Sequence, residues 1–119
     1  MKSHKDLFVW QKSIELVVEV YYLTSNFPKS ELFVMVSQMR RAVISIPSNI
    51  AEGYARRSSK ERLQFYLISF GSACELETQI IIAKKLGFVD GKNSIKADGL
   101  LNEVLRMLNK MTIESRTSH

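Results

Sequence analysis

The sequence is poor in the residues that punctuate a chain and in those that carry redox or acid-base chemistry. Five Gly and two Pro in 119 residues are about half the ordinary share, so a turn-rich all-β chain is disfavoured. Cys74 is the sole cysteine and allows no intramolecular disulfide. No oxidising compartment is needed, and a cytoplasmic location is expected. The longest charge-free run, Leu63 to Cys74, holds twelve residues, whereas a bilayer span needs about 18. No membrane span is expected, and Leu7 to Trp10, cut short by Lys12, is too brief an apolar run for a signal peptide. The two histidines, His4 and His119, stand at opposite ends. Both are read as solvent-exposed tails, which leaves no base beside a nucleophile. Zinc spacing, a G-x-x-x-x-G-K loop, a G-x-G-x-x-G turn and the Glu-x-x-His pairs of di-metal helix bundles are all missing. No cofactor and no metal site are expected.

What is present is helical periodicity. Hydrophobic residues are 45% and charged residues 24% of the chain, an ordinary globular balance for a single domain over residues 1–119. Apolar residues recur at spacings of three and four, which places them on one face of a helix. The first such stripe is Leu7, Trp10, Ile14, Val17 and Tyr21, flanked by a second of Leu16, Val20, Leu23 and Phe27, so this helix reads as buried on two sides. The second is Leu32, Met35, Met39, Ala42, Ile46 and Asn49, with a kink or break expected at Pro47 and Gly53 as terminator. The third, capped by Ser58 or Ser59, is Leu63, Leu67, Phe70, Cys74, Glu77 and Ile81. Its small-residue run Ser69 to Cys74, with Gly71, suggests close approach of a neighbouring helix. The fourth is Ala97, Leu101, Val104, Leu108 and Met111, fraying after Ile113. Helices are therefore expected over about 7–26, 30–52, 59–86 and 95–113, in an all-α, antiparallel up-down four-helix bundle.

Two polar groupings carry the candidate chemistry. Arg40, Arg41, Arg56, Arg57, Lys60 and Arg62 face only Glu52 and Glu61 within residues 40–62, so much of the chain's net charge of +5 lies there. Guanidinium groups suit phosphate oxygens, and Tyr54 adds a ring that can stack on an unpaired base. These seven residues are the expected nucleic-acid contacts; the alternative is an ordinary solvated turn. The second grouping, Gln38, Arg41, Asn49, Glu52 and Glu77, is read as a structural polar network. A carboxylate on an apolar stripe ordinarily pairs with an arginine. Glu52 with Glu77 as paired acid-base carboxylates is the less favoured reading, because no nucleophile or phosphate cradle accompanies them. Trp10 and Tyr66 are assigned to the core.

The strings Ser45-Ile46-Pro47-Ser48-Asn49-Ile50-Ala51-Glu52-Gly53 and Glu75-Leu76-Glu77-Thr78 after Gly71-Ser72 resemble a bacterial family. It is the four-helix-bundle family encoded in intervening sequences of the 23S ribosomal RNA gene, often labelled a ribosomal protein. The resemblance runs from Leu7 to about Met111 and is weakest in the fourth helix. It implies a bundle that assembles into a homo-oligomeric ring of five subunits. The same fold resembles the accessory protein of diversity-generating retroelements, a basic ring that works with a reverse transcriptase. The expected function is thus a non-enzymatic RNA- or nucleic-acid-binding ring, the alternative a protein-interaction scaffold or accessory subunit for a nucleic-acid enzyme.

Overall fold

In the computed structural model, which describes residues 3–117, four helices carry the fold. α1 spans Phe8–Thr24, α2 Ser37–Tyr54, α3 Ser59–Lys85 and α4 Ile95–Thr117. No strand occurs among the described residues. Each helix packs on its neighbour in the chain and α1 also packs on α4, so the four close a square in a molecule of 45 × 24 × 23 Å. Along one seam the Ser69 hydroxyl donates to the Ile46 carbonyl at 2.9 Å, and the Ser45 and Ser72 hydroxyls lie 2.8 Å apart. Gly53 is beside Phe65 and Tyr66, so residues rising along α3 meet residues falling along α2. Lys12–Glu103 and Glu19–Lys96 ion pairs show the same reversal between α1 and α4.

The core draws one stripe from each helix: Leu16, Val20 and Leu23; Met39, Val43, Ile46 and Ile50; Ala73, Leu76, Ile80 and Ala83; Leu101, Val104 and Leu108. On α1 and α3 this differs from the expected faces. Ile14 and Tyr21 are each 38% exposed, and Leu67, Glu77 and Ile81 are exposed on α3. Both helices carry a second apolar stripe beside the one that fills the core, and composition alone does not say which turns inward. Trp10 is half-buried against this outer side, with the His4 ring edge-on to it at 5.2 Å. His4 is thus partly packed, not a free tail, while His119 falls outside the described residues. Tyr66 is in the interior, as expected.

Backbone details correct the expected boundaries. α2 does not begin at residue 30: a 3-10 turn, Lys29–Glu31, and a π-helical turn, Leu32–Val36, precede it. The wider π turn shifts the helical phase, so Val36 is buried while Leu32 and Phe33 face outward. Pro47 is accommodated inside one continuous helix; the Ser48 hydroxyl donates to the Ile44 carbonyl and the Asn49 amide to that of Ser45. α3 ends where Gly87 adopts φ +79°. The Gly87 and Phe88 amides return to the Lys84 and Ala83 carbonyls, a left-handed cap that suits glycine. α4 runs on to Thr117 rather than fraying at Ile113.

Candidate nucleic-acid interface

The α2–α3 turn is short because both of its helix ends are closed by side chains. The Ser58 hydroxyl accepts the Glu61 amide at 3.1 Å and caps α3. Arg62 Nη1 reaches back across the turn and donates to the Arg56 carbonyl at 2.6 Å, which satisfies a backbone group just past α2. Arg56 is occupied as well: Nη2 donates to Glu52 Oε2 at 2.9 Å, and its guanidinium lies 4.7 Å from the centre of the Phe65 ring. Two of the four cations of this turn therefore hold the turn itself. Arg57 and Lys60 are exposed, and among the described residues neither makes an ion pair. Arg56, Ser58, Lys60, Glu61, Gln64 and Phe65 line an open cleft of about 590 Å³, in which the Glu61 carboxylate stands among the cations and Phe65 forms one wall.

Tyr54 ends α2 half-buried, close enough to Tyr66 for the two phenols to influence each other. Burial pushes the Tyr66 phenol above its ordinary value; the Arg62 charge opposes the rise and Tyr54 adds to it. Arg40 and Arg41 are not part of this cluster. Arg41 stands thirteen residues before Tyr54 on the same helix, about 20 Å away along its axis at ~1.5 Å per residue. Arg40 is held there by α1, donating to the Thr24 hydroxyl at 3.0 Å with its guanidinium 4.4 Å from the Tyr21 ring centre. The run of arginines that looks continuous in sequence forms two separate surfaces in space.

The expected polar network does not form within the chain. Gln38, Arg41, Glu52 and Glu77 are exposed, and among the described residues no hydrogen bond or ion pair joins the five. Glu52 goes to Arg56, and Asn49 bonds to the Ser45 carbonyl and hydroxyl. The polar links between α2 and α3 are instead the buried Ser69 hydroxyl on the Ile46 carbonyl and the half-buried Ser45–Ser72 pair, which small side chains at the seam had only hinted at. Glu52 lies level with Phe65 near Gly53. Glu77 is twelve residues further along α3, about 18 Å away by helical rise, so the two carboxylates cannot act together. Burial first, and then the Glu77 charge, push the Cys74 thiol up from its ordinary value. No described helix is long and apolar enough to cross a membrane, and no three His, Cys, Asp or Glu side chains among the described residues are placed to hold a metal ion.

Four packed helices with a basic turn at one end define a small all-α protein whose distinctive surface lies in its charges and outer apolar stripes. Residues 5–110 match the family model of the 23S rRNA-intervening sequence protein, so the chain belongs to that family. A search of curated proteins found no match.

Proposed function

We propose that the protein is a non-enzymatic, cytoplasmic RNA- or nucleic-acid-binding module, an up-down antiparallel bundle that works as a homo-oligomeric ring of five. The reversed pairings of α2 with α3 and of α1 with α4 support the helix order. Family membership supports the ring, and the lone cysteine is compatible with a reducing compartment. The observation that carries the binding assignment is the pair Arg57 and Lys60: both exposed and without an ion pair among the described residues, with Lys60 lining the cleft that Phe65 walls. Such groups take phosphate oxygens, while Tyr54 offers a π face to an unpaired base. Arg56 and Arg62 shape the turn and add positive potential. Repetition around a ring multiplies weak contacts.

The test is fluorescence anisotropy with a structured ribosomal RNA fragment across a salt series. Each phosphate neutralised lowers log K by about 0.7–0.9 per unit of log salt. Replacing Arg57 and Lys60 together by Ala is expected to flatten that slope by roughly 1.4–1.8 per subunit in contact. An unchanged slope assigns the contacts elsewhere. Absence of binding at low and physiological salt refutes the nucleic-acid reading and favours a scaffold that meets a protein.

A further inference from the structure

Two faces of the bundle carry apolar residues that the core covers only in part. On the α1/α2 face, Trp10, Ile14 and Val17 form a groove with Ile44, Pro47 and Ala51. The groove continues past Tyr21 to Phe33, which is 88% exposed. Arg40 and Arg41 border it, and no carboxylate lines it. The second face is the outer stripe of α3 toward α4: Leu67, Phe70, Cys74, Glu77 and Ile81 share one side at helical spacing. Glu77 and Ile81 border a hollow with Leu101 and Asn102 of α4. Lys84 and Asp98 in that hollow neutralise each other at 2.7 Å, which leaves Glu77 as its unpaired charge. Because the helices form a square, these two faces lie on opposite sides of the molecule.

Their residues also match in height. Ser45 is level with Ser72, and Ile46 with Ser69. Counting one turn onward along each helix puts Arg41 level with Glu77, Ile44 with Cys74 and Ala51 with Leu67. Rotation of one copy about an axis parallel to the bundle, followed by contact between opposite faces, therefore sets apolar against apolar and Arg41 against a carboxylate. About an axis parallel to the bundle, pairing this face with itself would instead set Arg41 opposite Arg41 at the same height.

We propose that the occupant of the α1/α2 groove is the α3 outer stripe of a second copy of this chain, joined head to tail, with Arg41 paired to Glu77 of the neighbouring copy. This rests on the homo-oligomeric part of the reading above and specifies its contact. A head-to-tail contact closes into a ring when the rotation between copies permits. It also reinterprets the polar residues: Arg41 and Glu77 are partners between chains, not within one.

Charge reversal tests the contact, because both side chains are exposed and neither makes an ion pair among the described residues. Sedimentation equilibrium would compare wild type, Arg41→Glu, Glu77→Arg and the double variant, with circular dichroism confirming that each is helical. Wild type is expected to be oligomeric at micromolar concentration. Each single reversal should raise the dissociation constant at least tenfold, and the double reversal should bring it back toward wild type. Oligomeric single variants with an unchanged dissociation constant, or a double variant no tighter than the singles, would overturn the Arg41–Glu77 contact and leave the assembly reading intact. A wild type that is monomeric throughout would overturn both.

Discussion

At the scale of single residues, two glycines exchange the roles their positions suggest. Gly53 reads as a helix stop and Gly71 as a close-packing site. A Cβ on Gly53 would sit 2.7 Å from Tyr66 Cε1 and 3.0 Å from Phe65 Cβ, whereas Gly71 has nothing within 4 Å. Gly53 is thus the close approach between α2 and α3. Gly53→Ala should cost about 1–3 kcal/mol through overpacking; Gly71→Ala should gain up to about 1 kcal/mol in helix propensity. Thermal melts would show shifts of opposite sign, and equal shifts would refute the assignment. Tyr66 supplies a pH effect. Its folded pKa is raised above the ordinary 10.0 by burial, so the folded chain holds the proton more tightly than the unfolded one. That contribution is complete below pH 10 and is lost as pH rises through the folded value. Urea midpoints should fall between pH 9 and pH 11, and less steeply in Tyr66→Phe.

At the scale of elements, legibility followed the number of apolar stripes. α4 has one, Ala97, Leu101, Val104, Leu108 and Met111, and the structure buries the first four and half-buries Met111. α1 and α3 each have two, so periodicity located the helices without selecting their inner faces; the selection comes from packing against all other elements at once. The π turn before α2 left no residue signature, and it moved Leu32 to the surface. The basic turn was legible as a concentration of charge. Its internal division of labour was not, because whether an arginine holds the turn or faces solvent depends on which acceptor the fold places nearby. This division is testable. Arg62→Ala removes the charged donor to the Arg56 carbonyl and should lower stability by about 1–2 kcal/mol, the ordinary worth of a partly buried charged hydrogen bond. Arg57→Ala should leave the melt within about 0.5 kcal/mol of wild type, as exposed positions do. If both variants melt alike, Arg62 is not a cap and belongs with the free cations.

At the scale of the whole molecule, the decisive feature is how much apolar surface the monomer leaves in water. Phe8, Tyr22, Phe33, Ile81 and Leu86 are each at least half exposed, and the two outer faces form continuous stripes rather than scattered single residues. Scattered residues need no explanation, but contiguous patches on a small protein mark contact surfaces. If copies cover these stripes, association and folding are linked: the oligomer binds only folded chains, so mass action stabilises the native state. Each tenfold rise in protein concentration then adds about 1.4 kcal/mol per mole of contacts formed. The melting temperature should therefore climb by several degrees over a hundredfold concentration range for wild type. It should stay flat for Arg41→Glu wherever that variant is monomeric. The basic turn lies just past the Ala51 and Leu67 ends of the stripes but about 20 Å along α2 from Arg41, so Arg57→Ala should keep the full concentration dependence while weakening nucleic-acid binding. A variant in which both properties failed together would show that binding surface and assembly surface are one, and the separation of the two arginine clusters along α2 would lose its functional meaning.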